Sequence, residues 1–419
     1  MKIVILGGSA QSTPGLWSYL NNETRLENLH VILAGRDSER LEAVRRASRL
    51  VAEGGGNRLE CGPLDRPETW ERFGGADIFL IQIRNGGYAG RSVDETFPPR
   101  YGVCGDEGLG PGGLSAGLRN WRAIRPALER IERLGAAPLI VFLSSPVGLL
   151  VRAATQAFPG MRIAGICELP WTTLLDICRT VGVDPGEVRF DYFGVNHLGW
   201  FYRLTAGERD IVREYAGRRE RETDFPSGAL IHSCGGVPLK YLRLHYEHEK
   251  VVKEQRGQAQ TRGEQLEQTG RNAFRAYREG GRPDIEAALE TRPAPWYRHA
   301  VGPLIASLAG RASRIPLFLS VRNDSHFDDD DILECPHVVD GGRLRRLSRT
   351  MPVPPHMLEL TARFVRYERL ATAALLTGDP RDVEKALRIH PWSDGVSKTA
   401  RMAREIVGYC RTAEKCASV

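Results

Sequence analysis

Lysine is scarce in this chain. Only seven of its 58 basic residues are lysine, which leaves 51 arginines scattered over all 419 positions without a basic block. Proteins that bind nucleic acid concentrate positive charge on one face, so the net charge of +6 reads as a surface habit and no nucleic-acid partner is expected. Long apolar runs are also missing. No stretch approaches the roughly 18 to 20 apolar residues that cross a bilayer, so no membrane partner is expected. Met1-Lys2 passes at once into Ile3 to Leu6 and then glycines, without the charged region, apolar stretch and cleavage site of a secretory signal; a cytoplasmic location is the expectation. The eight cysteines (Cys61, Cys104, Cys167, Cys178, Cys234, Cys335, Cys410 and Cys416) contain no CxxC pair and no regular spacing. That pattern excludes a disulfide framework, and each cysteine reads as a core residue unless its neighbours argue otherwise. Internal repeats and low-complexity tracts are absent too.

What is present is enough apolar residue, 42% of the chain, to fill the cores of two or three domains. The N-terminal third alternates apolar runs with helical patterns, as a parallel sheet with crossover helices requires. Strands are expected at Lys2 to Leu6, His30 to Leu33, Asp77 to Ile83, Pro138 to Leu143 and Arg162 to Ile166, with helices at Ser38 to Val51, Leu114 to Leu134 and Pro170 to Val181. The fold class is therefore α/β. A Rossmann-like, doubly wound sheet is expected over residues 1–185, followed by an α+β unit over 186–419. In that second unit Val188 to His197 and Trp200 to Leu204 read as strands, Arg218 to Asp224 as a polar link, and Leu239 to Arg282 as a solvated helix followed by a loop. Pro-rich segments (Pro293 to Pro303, Met351 to His356) precede two helices, Leu358 to Thr377 and Arg381 to Ile389.

Gly7-Gly8-Ser9 follows the first strand, and Thr13-Pro14-Gly15 leads into a helix from Leu16 to Leu20. Glycines there let backbone amides approach a pyrophosphate at a helix N-terminus, although the spacing is not G-x-G-x-x-G. The second strand ends Ala34-Gly35-Arg36-Asp37, where a dinucleotide fold usually carries an acid for the ribose hydroxyls. Gly35-Arg36 would admit and pair with a 2′-phosphate, so NADP stands beside NAD; Asp37 is either that acid or the cap of the next helix.

Four further stretches complete the pattern. They are Ile83-Arg84-Asn85-Gly86-Gly87 through Arg91 to Glu95; Tyr101-Gly102-Val103 through Glu107 and Gly110-Pro111-Gly112-Gly113 to Arg119; Cys167-Glu168-Leu169-Pro170; and Gly194-Val195-Asn196-His197-Leu198-Gly199-Trp200-Phe201. In this order, and with the glycine-rich start, they resemble glycoside hydrolase family 4. Pro238 to Tyr246 resembles that family's Tyr-Leu-x-Tyr-Tyr element, Thr261-Arg262-Gly263-Glu264 its Arg-containing element, and Val321 to Pro336 its C-terminal strand and loop. The resemblance runs from residue 1 to about 400.

It implies a glycosidase dependent on NAD and a divalent metal, acting on a small-molecule glycoside that is 6-phosphorylated or otherwise anionic, and assembled as a homodimer or homotetramer. Cofactor-binding positions are Gly7, Gly8, Ser9, Thr13, Pro14 and Arg36. Cys167 and His197 would hold the metal, Mn²⁺ or another divalent ion. Both lie at or just beyond the ends of expected strands, where an open sheet exposes ligands, and one cysteine with one histidine cannot make a closed four-ligand zinc site. The implied chemistry departs from the two-carboxylate glycosidases. Hydride leaves C3 of the sugar, the ketone acidifies C2, a base removes the C2 proton, the aglycone is eliminated, water adds, and the hydride returns. Tyr241 matches the base, with Lys240, Arg243 and the metal as candidates to stabilise its phenolate and Tyr246 as the fallback. Glu168 stands where relatives carry Asp, Asn or His, and would be the general acid. Arg84 and Arg262 match positions that contact the sugar phosphate; Ser145 replaces the family's Asn in that set, and Glu107 and Asn196 complete the substrate-binding positions. Because of the departures at Gly35, Ser145 and Glu168, an NAD(P)-dependent sugar 3-dehydrogenase or epimerase is the alternative. A non-catalytic nucleotide sensor would have little reason to carry metal, base and arginine positions together.

Overall fold

The computed structural model describes residues 1–52, 55–135, 137–219, 225–311, 315–323, 326–393 and 396–417. Six parallel strands open the chain: β1 (Lys2–Leu6), β2 (His30–Gly35), β3 (Arg58–Pro63), β4 (Ile78–Ile81), β5 (Leu139–Phe142) and β6 (Arg162–Cys167), in spatial order β3-β2-β1-β4-β5-β6. That is the dinucleotide-binding order, with the switch point between β1 and β4. Strands β1, β4 and β5 are buried almost end to end because helices cover both faces, which is why they read as continuous apolar runs. On one face lies the helix Ser38–Val51. Asp37 caps it by accepting the Arg40 N–H at 2.9 Å, and Leu41, Val44, Ala47, Ser48 and Val51 point inward at helical spacing.

The sheet does not stop at residue 185. Strand Leu317–Arg322 adds antiparallel to β6, pairing Phe318 with Cys167, and Ile332–Asp340 and Arg343–Arg346 extend the sheet to nine strands. A separate antiparallel hairpin, β7 (Arg189–Val195) and β8 (Leu198–Ala206), is joined by two residues, Asn196 and His197.

Three expectations need correction. The polar stretch from Leu239 is not a helix running into a loop. It folds as the helices His248–Gly257 and Arg262–Glu279, the second opened by a Thr261/Glu264 capping box and burying Leu266, Ala273, Phe274 and Tyr277. Few apolar residues suffice because they share one stripe, which packs on the helices Gly87–Arg100 and Ser38–Val51. The Pro-rich segment from Pro293 contains a helical turn, Tyr297–Val301, and the helix Gly302–Leu308. A helix over Val396–Ala417 was not expected. Of the polar link from Arg218, residues 220–224 lie outside the described residues, as does the Cys416 side chain. Among the described residues no disulfide forms, and every described cysteine but Cys61 is buried.

The helices Gly87–Arg100 and Gly110–Arg133 are tied by a buried ion pair, Arg119 to Asp94 at 3.0 and 2.5 Å. Burial outweighs the guanidinium and lifts the Asp94 carboxyl to about 6. Removing one partner of such a pair costs about 3 to 5 kcal/mol because the other charge is left bare. Asp94 escapes that cost by taking up a proton, so Arg119→Met should destabilise the protein by that amount at pH 8 and by clearly less at pH 5. Urea unfolding at the two pH values measures the difference.

Candidate active site

The site lies at the carboxyl ends of the parallel strands. Gly7 has φ +88°, and a Cβ on it would come within 2.8 Å of the Gln82 carbonyl oxygen; one on Gly8 would come within 2.7 Å of Leu33 Cα. No side chain fits in either place, so backbone can come close to a ligand. The two glycine amides do not themselves face that ligand, because both donate to the Ala34 carbonyl at 2.9 Å. Among the described residues the unbonded amides of the loop are those of Ser9, Gln11 and Ser12. Gln82 braces the loop by donating to Gly7 O and Thr13 Oγ1, and Tyr297 donates to Gln82 at 2.6 Å. Pro14 lies in the first turn of the helix Thr13–Ser18. Arg36 stands exposed at the end of β2 beside Asp37, which is spent on its helix cap. The cradle fits a dinucleotide pyrophosphate.

His197 sits in the β7–β8 turn with φ +68°, a conformation non-glycine residues rarely adopt. Its Nδ1 is buried without a hydrogen-bond partner, and its ring stacks on Tyr241 with centroids 4.4 Å apart at 11°. Burial, helped by the Lys240 charge, lowers its pKa to about 4, so the imidazole is neutral, the form that binds metals. Cys167 ends β6. Its sulfur accepts the Leu169 N–H at 3.4 Å and lies 3.8 Å from the Glu168 carboxyl. Burial, then Glu168 and Glu334, push the thiol well above its usual range. A thiol held against two carboxyls and an imidazole nitrogen with no partner fit a divalent cation, which would offset both. No group of three His, Cys, Asp or Glu among the described residues could complete a closed site, so further positions on such a cation belong to non-protein ligands.

Tyr241 lies in the single turn Lys240–Leu242 behind Val237–Pro238, which pairs with β8. Burial first, then the Asp106 charge, raises its phenol above the usual range, while Arg91 pulls it down. The Lys240 ammonium lies 5.5 Å from the ring centroid. Arg243 does not take part: its guanidinium bonds Glu247 at 2.9 Å and Glu254 at 2.7 Å. Tyr246 is likewise placed elsewhere, its hydroxyl 3.5 Å from the Cys234 sulfur. Glu168 is the N-cap residue of the helix Leu169–Val181, with its carboxyl raised by burial.

Arg84 donates to Glu107 at 3.0 Å, and Arg91 bridges Glu107 and Glu95 at 2.6 Å each. Burial works against it, but Arg84 and then Arg91 hold the Glu107 carboxyl below its usual range. Asn196 donates to Glu334 at 2.9 Å. Ser145 offers its carbonyl to Asn120 at 2.7 Å. Arg262 is not brought to this cluster within the chain; it stands exposed at the start of its helix and bonds Gln265 at 3.1 Å.

Sequence reasoning assigned no role to Glu334, Arg91, Asp106 or Arg292. Glu334 left a trace, an acid inside the apolar strand Ile332-Leu333-Glu334-Cys335. Asp106, lifted to about 7 by desolvation in its folded loop, left none, because only the fold shows what surrounds it.

A Rossmann-like α/β enzyme is the class that this fold and site define. The Family 4 glycosyl hydrolase profile matches residues 2–183, and the profile of the Family 4 glycosyl hydrolase C-terminal domain matches residues 192–393; the chain belongs to family 4 of the glycosyl hydrolases. It is similar to a probable 6-phospho-beta-glucosidase of Bacillus subtilis, 24% identical with 95% of this chain and 94% of that protein covered. It is also similar to a 6-phospho-beta-glucosidase of Thermotoga maritima, 25% identical with 97% and 98% covered. The fold is that of the Thermotoga maritima 6-phospho-beta glucosidase solved with manganese, NAD⁺ and glucose-6-phosphate, at TM-score 0.87, 23% identity and 99% of both chains covered. A 6-phospho-alpha-glucosidase from gut microorganisms solved with NAD and Mn²⁺ matches at TM-score 0.81 and 20% identity, with 99% and 98% covered.

Titrating the protein with Mn²⁺ by calorimetry should show one site, weakened about 10- to 100-fold or more by Cys167→Ser and by His197→Ala, and less by Glu334→Gln, whose carboxyl acts from behind by holding Tyr192 and Asn196. Unchanged Mn²⁺ affinity in Cys167→Ser would remove the cysteine from the metal site.

Proposed function

We propose that the chain cleaves a 6-phosphorylated glucoside by oxidation at C3, elimination and water addition, with no net redox change. The observation that carries this reading is the partnerless, buried Nδ1 of His197, stacked on Tyr241 in a family 4 chain. When bound, NAD⁺ accepts and returns the C3 hydride, and a divalent cation withdraws charge from the sugar oxygens on C2 and C3. Cys167 and His197 would hold that cation, and Gly7, Gly8, Ser9, Thr13, Pro14 and Arg36 would line the dinucleotide.

Tyr241 takes the C2 proton at its phenol oxygen. An enclosed phenol is a weak base by itself, so the Lys240 ammonium over its ring and the nearby Arg91 stabilise the phenolate. Glu168, whose carboxyl is raised by burial, passes a proton to the departing glycosidic oxygen. Arg84, set in place by Glu107, pairs with the substrate phosphate as a planar fork; Asn196 and Ser145 hold sugar oxygens. Arg262 stands exposed and bonded to Gln265, and this reading has it serve the phosphate of a neighbouring subunit in a homodimer or homotetramer. In this reading residues 1–185 bind the dinucleotide and 186–419 supply substrate and assembly contacts. A cytoplasmic setting suits a phosphorylated sugar, and no helix among the described residues is long and apolar enough to cross a membrane.

The test is incubation with Mn²⁺, NAD⁺ and nitrophenyl α- and β-glucosides, each with and without a 6-phosphate, under reducing conditions. Nitrophenol release without accumulating NADH is expected from a phosphorylated member. Stoichiometric NADH without nitrophenol would assign a sugar dehydrogenase instead. Tyr241→Phe should lower kcat by about 10² to 10⁴ while leaving NAD⁺ affinity unchanged, and wild-type turnover in that variant would dismiss the phenol as base.

A further inference from the structure

Tyr88, in the first turn of the helix Gly87–Arg100, lies beside two guanidiniums. Arg84 lies 5.0 Å from its ring centroid and Arg292 lies 5.3 Å from it, and Arg292 also donates to the Tyr88 hydroxyl. Trp296 backs Arg292 at 5.6 Å. Arg292 is largely enclosed, and among the described residues no carboxylate lies within ion-pair distance of it. Burial, with Arg84 and Arg91 repelling it, lowers its pKa. Three guanidiniums therefore converge where two carboxylates, Glu95 and Glu107, are already bonded to Arg84 and Arg91. Among the described residues the third guanidinium has no carboxylate at contact distance and acts on Glu107 only from further away, so gathering it there costs energy that a bound anion would return.

A second, independent observation points the same way. Gln11 is 6% exposed, and both its amide atoms are buried without a hydrogen-bond partner. Its oxygen and the Tyr88 ring edge border the same point, 2.7 and 3.8 Å from where a Cβ on Gly270 would lie. An amide able to donate, a phenol and two guanidinium forks thus surround one small region between the glycine-rich loop and Glu107. Planar forks of this kind bind phosphate oxygens in pairs.

We propose that Arg84 and Arg292, both beside Tyr88, form a phosphate clamp in which Arg292 supplies a guanidinium that no carboxylate among the described residues meets at ion-pair distance. The ligand is a phosphate monoester or diester oxyanion, carried by the sugar or by the dinucleotide. The substrate arm of this inference rests on the phosphorylated substrate proposed above.

The experiment is calorimetric titration of the full chain with glucose 6-phosphate, inorganic phosphate, glucose and NAD⁺, for wild type, Arg292→Gln and Arg292→Lys, with thermal unfolding as the control for folding. Arg292→Gln should bind glucose 6-phosphate and inorganic phosphate at least 10-fold more weakly, with glucose and NAD⁺ affinities unchanged. Arg292→Lys should fall between, keeping the charge and losing the fork. A 10-fold loss confined to NAD⁺ supports the clamp and gives its phosphate to the dinucleotide. Unchanged affinity for all the phosphate ligands in a folded Arg292→Gln overturns it, as does a wild type that binds neither glucose 6-phosphate nor NAD⁺. The titrations do not depend on turnover: weakened glucose 6-phosphate binding in a protein that releases no nitrophenol leaves the clamp standing and removes the glycosidase reading.

Discussion

The Glu334 carboxyl ties two sheets together at the point where the chemistry is assembled. It projects from the strand Ile332–Asp340 at the extended side of the large sheet and accepts bonds from two residues of the hairpin, Tyr192 on β7 and Asn196 in the turn. The phenol reaches it only because Gly199 faces Gly194 across the hairpin; a Cβ on Gly199 would lie 2.2 Å from the Tyr192 oxygen. With Asn196 anchored from behind, its neighbour His197 is held in a left-handed conformation that costs about 1 to 3 kcal/mol. That conformation aims the imidazole at Tyr241. Cys167 is bound into the same structure through the pairing of β6 with Leu317–Arg322. Cys167 on one sheet and His197 on the other thus depend on strands that come late in the chain.

The same dependence decides what could be read in advance. Five of the first six strands were legible because their apolar runs are local and alternate with helices; β3 (Arg58–Pro63) was not, since Arg58, Glu60 and Gly62 interrupt any apolar run. The glycine cradle, Cys167, His197 and Tyr241 were legible as motifs. The extension of the sheet by residues 317–346 was not, since those strands pair with β6 from about 150 residues away and short apolar runs do not name their partner. Leu239 to Arg282 misled for another reason. Its buried stripe is narrow, and polar residues outnumber it, so composition suggested solvent where the fold places a helix against the cofactor-side helices. Arg243 misled by adjacency: it follows Tyr241 closely in sequence, yet half a helical turn directs it to Glu247 and Glu254.

Burial of charge sets the protonation pattern that the chemistry needs. Enclosure raises the Glu168 carboxyl, the direction a general acid would need, and together with the Lys240 charge it lowers His197 to about 4, leaving the neutral imidazole that a metal ligand would need. For Cys167 and Tyr241 enclosure acts in the opposite sense, because a ligand thiol and a basic phenol must both lose protons. A divalent cation held by Cys167 and His197 would supply the positive charge that favours thiolate and phenolate in an enclosed site. In the proposed reading the same cation that polarises the sugar would thus also help Tyr241 give up its proton, which is how a residue as weakly acidic as tyrosine would serve where a carboxylate might be expected.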